Sequence, residues 1–320
     1  DRGFAHVFVP AANAPEAAMV SGISVFPVAS LTQLIAHLEG SEEIKAQPPT
    51  DIESASEAGA GVEFCEIRGQ EHAKRALIVA AAGGHNLLMI GPPGTGKTML
   101  ASSLSSILPP LTLDEIIEVT KIYSAANLLA GRPFVGTRPL RAPHQGASPA
   151  AVIGGGQNPR PGEISLAHRG ILFLDELPEF RRDILESLRQ PMERGSAVIS
   201  RVRSDLVVPA KFTLVAAMNP CPCGYYGDEE KECACTGFEV VRYQKKISGP
   251  LLDRIDIQIS VPRIKVSQLR ATAVDKTATA RAREQVARAR KRERERLLEA
   301  GIRRKFTNAE LSSKECDQLI

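Results

Sequence analysis

The sequence has 320 residues, of which 43% are hydrophobic, and its 40 Lys and Arg against 37 Asp and Glu give a net charge of +3. This composition excludes wholesale disorder, and no apolar run reaches the roughly 20 residues of a membrane span. Six cysteines are too few for a disulfide scaffold, and a tight group of four favours a metal in a reducing compartment such as the cytoplasm. The opening residues lack a signal sequence, so we interpret the chain as a fragment rather than a secreted precursor.

The first 40 residues contain two short predicted strands, over residues 4–10 and 23–28, and a helix over residues 31–38. They are too few to bury a core alone, so they are interpreted as the remnant of an N-terminal α+β domain. Residues 41–61 are polar, acidic and contain proline, which is typical of a linker.

From residue 62 to about residue 265, strands alternate with helices, which indicates an α/β domain with a mainly parallel sheet. Buried strands are predicted at residues 87–90, 171–174, 212–218 and 255–261. Beyond this domain, residues 277–300 predict one long helix. Its arginines alternate with glutamates and no aromatic residue lies among them, so we interpret it as a solvated face rather than a nucleic-acid site.

A phosphate-binding pattern, G-x-x-x-x-G-K-[ST], lies between a predicted strand and a predicted helix. Its glycines let backbone N–H groups approach phosphate oxygens, and the helix N-terminus adds partial positive charge. Lys97 supplies a charge to the terminal phosphates, and Thr98 offers a hydroxyl to Mg²⁺. The predicted nucleotide-binding residues are Gly91, Pro92, Pro93, Gly94, Thr95, Gly96, Lys97, Thr98 and, from the next motif, Asp175.

Two further buried strands end in polar residues. The strand over residues 171–174 is followed by Asp175 and Glu176, and we expect it to lie beside the phosphate-loop strand. Asp175 would then hold Mg²⁺, and Glu176 would act as general base on the attacking water. The third strand ends at Asn219, which could orient that water or simply form a turn before Pro220.

These motifs, together with the segment 249–256, resemble those of the AAA+ ATPases. The segments 83–101, 161–168 and 218–220 resemble the magnesium-chelatase-like branch and, within it, the bacterial competence-associated DNA helicase family ComM/YifB.

The resemblance implies three regions: the end of a Lon/S5-like domain over residues 1–40, an AAA+ phosphate-loop NTPase core over residues 62–265, and the start of an α-helical lid over residues 266–320. Asn219 then takes the sensor-1 role. Arg254 takes the arginine-finger role in the neighbouring subunit's site, with a salt bridge to a neighbouring aspartate, Asp253 or Asp256, as the alternative.

A function follows from the same resemblance. It implies a cytoplasmic homo-hexamer, not bound to a membrane, that uses ATP and Mg²⁺ to move DNA without sequence preference. Such a helicase promotes branch migration of single-stranded or branched DNA in homologous recombination and natural transformation. Two other functions stay open, namely a magnesium-chelatase-type ATPase subunit that drives metal insertion and a nucleotide-gated scaffold.

Two segments of the α/β domain predict insertions that hold DNA. The Gly- and Pro-rich residues 153–162 resemble the family's helix-2 insert and carry Arg160. Residues 197–209 alternate like a hairpin, with Arg201 and Arg203 near the turn, where the family has its pre-sensor-1 hairpin. Arginines at these places would neutralise phosphates without reading bases, and solvated surface turns are the alternative.

Four cysteines follow Asn219 in the spacing C-x-C-x₉-C-x-C. Four thiolates this close in sequence predict a closed, structural Zn²⁺ site, a zinc knuckle over residues 221–235. The alternative is free thiols, because C-x-C is tighter than the usual chelating pair. The residues concerned are Cys221, Cys223, Cys233 and Cys235.

Overall fold

The computed structural model describes residues 4–50, 61–155, 160–200, 205–264, 275–303, 305 and 307–319. The chain divides into two compact units. The N-terminal unit consists of Asp1–Glu57 and Thr112–Thr137, and the second unit consists of Ala58–Leu111 and Arg138–Ile320. Across the described ranges, no helix combines the length and the apolar composition that a bilayer crossing requires.

The N-terminal unit begins with β1 (His6–Pro10), α1 (Ala14–Ala17), β2 (Ser24–Val28) and α2 (Leu31–Leu38). The two strands pair in parallel, and Val25 packs against Ala14 and Ala18. Ser30 caps α2, because its Oγ accepts a hydrogen bond from the N–H of Gln33 at 3.2 Å. The strands and the helix predicted from the sequence are therefore confirmed.

Residues 41–50, predicted as the first part of a linker, are instead hydrogen-bonded within the N-terminal unit. The N–H of Gln47 donates to the carbonyl of Val25 at 2.7 Å, and the hydroxyl of Thr50 donates to the carbonyl of Pro15 at 2.6 Å. Ile44 is buried. The polar composition gave no sign of this packing. Backbone hydrogen bonds and a single apolar side chain hold the segment, and backbone groups can form such bonds whatever the side chains are.

The second unit contains a five-stranded parallel sheet. The strands of the sheet are β3 (Leu87–Ile90), β4 (Leu140–Arg141), β7 (Ile171–Leu174), β10 (Thr213–Met218) and β11 (Ile257–Ser260). Two hairpins lie outside the sheet, one formed by β5 (Gly154–Gly155) and β6 (Arg160–Pro161) and the other by β8 (Ser196–Ser200) and β9 (Asp205–Pro209). The sheet order is β11-β3-β10-β7-β4, and every neighbouring pair is parallel. The four strands expected from the sequence are present, and β3, β7 and β10 are buried as expected. The fourth, β11, lies at the edge of the sheet with Gln258 and Ser260 exposed. The two-residue β4 gave no sequence signal.

The sheet order corrects one expectation. The strand that precedes Asp175, β7, does not lie beside β3, because β10 lies between them. Apolar runs of similar length and composition reveal that strands are buried, but they carry no information about which strand pairs with which. The predicted grouping of the site residues does not depend on this strand order, because the carboxyl ends of all parallel strands lie at one edge of the sheet.

The helices after residue 60 are α3 (Glu71–Gly83), α4 (Lys97–Ile107), α5 (Leu113–Ala125, in the N-terminal unit), α6 (Pro149–Ile153), α7 (Glu163–Leu166), α8 (Arg182–Ser187), α9 (Arg189–Arg194), α10 (Gly237–Gln244), α11 (Gly249–Leu252), α12 (Ala278–Glu299) and α13 (Ser313–Leu319). Alternate residues of the central strands face opposite sides of the sheet. Leu87 and Met89 pack with apolar side chains of α3, α4 and α12, whereas Leu88 packs with a second cluster that includes Ile184 of α8. Helices thus cover both faces, which explains why the strands read as continuous apolar runs.

The basic helix α12 uses arginines to hold the ends of two other helices. Arg283 donates to the carbonyl of Ser106 near the end of α4 at 2.8 and 3.0 Å, and Arg290 donates to the carbonyl of Ala81 near the end of α3 at 2.9 Å. Carbonyls in the last turn lack a partner within their own helix and carry the negative end of its dipole. These two arginines therefore have a structural role, which the interpretation of this helix as a solvated face did not include.

Candidate active site

The phosphate-loop motif connects β3 to α4, and its glycines meet two different requirements. Gly94 and Gly96 have φ values of +77° and +85°, a backbone conformation that other residues rarely adopt. At Gly91 the requirement is space, because a Cβ there would lie 2.1 Å from the carbonyl oxygen of Val261. Two glycines therefore turn the chain, and the third lets the start of the loop pack against the chain just after β11.

Lys97, the first residue of α4, lies almost buried within the loop at 8% exposure. Its Nζ donates to the carbonyls of Gly91 and Pro92 at 2.7 and 2.8 Å and to Oδ1 of Asn219 at 3.2 Å. Burial lowers the pKa of Lys97, and the two carboxylates that follow β7 oppose this shift. The ammonium group thus lies among neutral oxygens. The charged oxygens of an anionic ligand could take their place and would form stronger, charge-assisted hydrogen bonds with it.

The structure brings together the two residues predicted to hold Mg²⁺. The hydroxyl of Thr98 donates to Oδ2 of Asp175 at 2.7 Å. Asp175 is half-buried at the carboxyl end of β7. A hydroxyl and a carboxylate supply the hard oxygen ligands that Mg²⁺ prefers, and their contact fits a site for this ion.

Glu176 is exposed beside this pair, in a strained backbone conformation. Its φ is +53°, in the left-handed region where a residue with a Cβ is uncommon. Its N–H donates to Oδ1 of Asp175 at 2.9 Å, which fixes the turn at the end of β7. The side chain is therefore accessible, while its backbone is held in place.

Asn219 directly follows β10, and two residues of α10 hold this end of the strand. The backbone N–H of Asn219 hydrogen-bonds the hydroxyl of Tyr243, and Nε2 of Gln244 donates to the carbonyl of Pro220 at 3.1 Å. Burial, together with the negative charge of nearby glutamates, raises the pKa of Tyr243 to about 12, so its hydroxyl stays neutral. The carboxamide of Asn219 thus projects from a fixed backbone toward Lys97.

Arg254 does not join this group within the chain. It follows α11, and its guanidinium pairs with Glu193 of α9 and donates to the carbonyl of Pro250. Neither partner belongs to the phosphate loop. Among the described contacts, the ion pair is with Glu193 and not with the neighbouring aspartates that we weighed as the alternative.

Asn86 is a positioning residue that the sequence did not reveal. Its Nδ2 donates to the carbonyl of Arg254 at 2.9 Å, and its Oδ1 accepts from the N–H of Leu214 at 2.8 Å. Its own N–H donates to Asp256 at 2.9 Å. Burial would raise the pKa of Asp256, but the nearby His85, whose Nδ1 lies 3.4 Å from Oδ2, and the hydrogen bond from this N–H outweigh it and lower the pKa. Asn86 therefore ties β3 to β10 and to the Arg254 turn.

The predicted DNA-contacting residues lie on two hairpins. β5 pairs with β6 in antiparallel fashion, and Arg160 is exposed at the start of β6. β8 pairs with β9 from Ser196 opposite Pro209 to Ser200 opposite Asp205, so the hairpin expected from the alternation is present. Arg201 and Arg203, which connect these strands, lie outside the described residues.

The four clustered cysteines meet in space. Their Sγ atoms all lie within 4.8 Å of one another, and Cys221 is fully buried. The N–H of Tyr225 lowers the pKa of Cys223 to about 6. At Cys235 a backbone hydrogen bond from Cys223 opposes the shift, but burial and the neighbouring sulfurs raise the pKa to about 12. This arrangement is a group of potential metal ligands, as the sequence predicted.

Comparison with known proteins identifies the family to which the sequence is similar. The sequence profile described as "Magnesium chelatase, subunit ChlI" matches residues 63–269. The chain is 46% identical to YifB of Salmonella typhimurium over 257 residues, which are 80% of this chain and 50% of that protein. It is 45% identical to competence protein ComM of Haemophilus influenzae over 262 residues, 81% of this chain and 51% of that protein. The chain thus spans about half the length of the curated relatives it matches.

Among solved structures, the chain is similar to a subunit in a complex of BchI and BchD of magnesium chelatase. The TM-score is 0.46 at 24% identity, over 73% of this chain and 77% of that chain.

Proposed function

This chain belongs to the magnesium chelatase subunit ChlI family of AAA+ ATPases, and on that premise we propose that it is the ATP-hydrolysing module of a DNA motor. The observation that carries the proposal is the meeting of Lys97, Thr98, Asp175 and Asn219 at one edge of the sheet, with Glu176 exposed beside them. These are the side-chain types that phosphoryl transfer to water requires. The DNA motor is the function that the resemblance of the motifs implies, and the 45% identity to competence protein ComM supports a role in competence.

In the proposed mechanism each residue has a separate task. The loop N–H groups and Lys97 bind the phosphates, and Thr98 and Asp175 would hold Mg²⁺, whose charge offsets that of the phosphate oxygens. The carboxylate of Glu176 takes the proton of the attacking water. Asn219 orients that water with its carboxamide, while Tyr243 and Gln244 keep the end of β10 in place.

Lys97→Ala should weaken ATP binding itself. The variant removes the one ammonium group that already lies inside the loop, so we expect the Kd for a fluorescent ATP analogue to rise about 10- to 100-fold. Lys121→Ala, which removes an exposed lysine of α5, is the matched control and should leave the Kd unchanged. Equal affinity in the two variants would remove Lys97 from the site.

The proposed assembly is a homo-hexamer in which Arg254 acts on the neighbouring subunit's nucleotide. Its guanidinium pairs with Glu193 and not with the phosphate loop of its own chain, so any role in ATP turnover requires the neighbouring subunit's site. DNA, single-stranded or branched, is the proposed substrate of the motor. Arg160, Arg201 and Arg203 would contact its phosphates, and the proposed biological role is branch migration in recombination and natural transformation.

The DNA contacts can be tested through their salt dependence. Arg201→Ala combined with Arg203→Ala should weaken binding of all DNA sequences alike and reduce the slope of log K against log salt by about two. Basal ATPase should persist. The matched control, Arg181→Ala with Arg182→Ala, removes the same charge from the exposed start of α8 and should keep the slope. An unchanged slope in the first variant would place the DNA site elsewhere on the protein.

A magnesium-chelatase-type ATPase is the second candidate, because the matching family carries that description. The two functions differ in what stimulates ATP turnover. We expect single-stranded, duplex or four-way DNA to raise the ATPase rate of the full-length protein several-fold. No response to any DNA would count against the motor and favour the chelatase-type function.

A further inference from the structure

The cysteine cluster has the dimensions of a site for one tetrahedral metal ion. The Sγ atom of Cys221 lies 3.4 Å from that of Cys223 and 3.7 Å from that of Cys233, and Cys223 and Cys233 are 3.6 Å apart. Four sulfurs at the Zn–S distance of about 2.3 Å would be separated by about 3.8 Å in a regular tetrahedron. The observed spacing is close to this value and leaves no room for a cluster of several metal atoms.

Backbone N–H groups point at two of the four sulfurs. Tyr226 donates to Cys221 at 3.3 Å, and Cys223 donates to Cys235 at 3.4 Å. Such donors orient these two sulfurs before a metal arrives.

The loop that joins the two cysteine pairs is ordered by its own contacts. Oδ1 of Asp228 accepts from the N–H groups of Glu230 and Lys231 at 2.8 and 3.1 Å, and Arg263 pairs with Asp228 at 3.3 Å. This turn brings the second cysteine pair back to the first. The cluster therefore belongs to a folded loop. The segment between the two cysteine pairs is held in place as well as the cysteines themselves.

We propose that Cys221, Cys223, Cys233 and Cys235 form a structural zinc site whose loop supports the phosphate loop from behind. The contact that links them is between Gly224 and Pro93. A Cβ at Gly224 would lie 2.7 and 2.8 Å from ring atoms of Pro93, so the backbone of the cysteine loop touches the phosphate loop directly.

A second connection runs along the chain. Cys221 follows Asn219 by two residues, and α10, which begins two residues after Cys235, supplies the Tyr243 and Gln244 contacts to Asn219 and Pro220. Loss of the metal would release both ends of this loop. Four thiolates fill the coordination sphere, so the ion leaves no position for water and acts on ATP turnover only through the fold.

Metal analysis tests the site without reference to activity. Full-length protein purified without added zinc and without chelator should contain about one zinc per chain by elemental analysis. Cys223→Ser with Cys235→Ser should lose it, whereas Cys65→Ser with Cys316→Ser, which removes the cysteines outside the cluster, should retain it. Less than about a tenth of a zinc per wild-type chain would overturn the proposal, and so would iron in its place.

A pair of glycine variants tests the link to the phosphate loop, which rests on the proposed nucleotide site. Gly224→Ala should keep zinc and weaken the binding of a fluorescent ATP analogue by about tenfold, because the new methyl group displaces Pro93. Gly227→Ala is the matched control: its φ is +80° against +86° at Gly224, but its Cβ would meet no atom within 4 Å.

The two results separate the possible failures. Equal ATP affinity in the two glycine variants would overturn the link while leaving the metal site intact. If the wild-type protein binds zinc but no ATP, the proposed function fails and the zinc site stands.

Discussion

Glu176→Gln is expected to retain ATP binding and to lose nearly all turnover. The amide keeps the shape of the side chain and the strained turn at φ +53°, but it cannot take a proton from water. General-base catalysis typically contributes about 10²- to 10⁴-fold, so we expect kcat to fall by at least about 100-fold while the Kd for ATP changes less than about threefold. Steady-state ATPase assays and equilibrium binding of a fluorescent ATP analogue measure the two effects separately.

The matched control lies three residues further along the same turn. Glu179→Gln removes a carboxylate that pairs with Lys246 at 3.1 Å, in a partly exposed salt bridge of small energetic weight. Its kcat should stay within about twofold of wild type. Undiminished hydrolysis by Glu176→Gln would remove the proposed base. No ATP hydrolysis by the wild-type protein would instead favour the nucleotide-gated scaffold, in which ATP only orders the ring.

Arg254→Ala is expected to cause a loss of similar or larger size by a different route. An arginine that stabilises the transferred phosphoryl group from a neighbouring subunit is typically worth about 10³-fold or more in kcat. ATP binding to the isolated chain should change little, because the guanidinium contacts Glu193 and Pro250 rather than the phosphate loop. Arg288→Ala, which removes an exposed guanidinium that pairs with Glu284, is the control and should keep its basal ATPase.

Mixed assemblies decide whether Arg254 acts between subunits. Rings that combine Arg254→Ala subunits with Glu176→Gln subunits contain some interfaces at which both wild-type residues meet. These interfaces should recover part of the ATPase, although each variant alone is nearly inactive. If mixed rings form, as shown by differential tagging, and no ratio restores activity, Arg254 does not act in trans.

Contiguous residues determined the active-site motifs and the strand positions. The pattern from Gly91 to Thr98 encodes a local conformation, since Gly94 and Gly96 need positive φ and Lys97 begins a helix. Apolar runs of strand length identified β3, β7 and β10, because burial on both faces requires such runs. The edge strand β11 was identified in the same way, although its Gln258 and Ser260 are exposed. The spacing of the four cysteines likewise predicted their meeting, because the loop between the pairs is short.

Other features depend on contacts between distant parts of the chain, and the sequence did not reveal them. The insertion of β10 between β3 and β7, the pairing of Arg254 with Glu193, and the hydrogen bonds of Asn86 all join segments far apart in sequence. The same holds for the contact between Gly224 and Pro93, which are distant in sequence. Only a residue without a Cβ fits at position 224 because Pro93 packs against it. Propensity and periodicity report on each residue's own neighbours and its burial. Which strand pairs with which is determined only when the whole sheet packs with its covering helices. The tertiary structure therefore decided the order of the strands and the contacts that support the site.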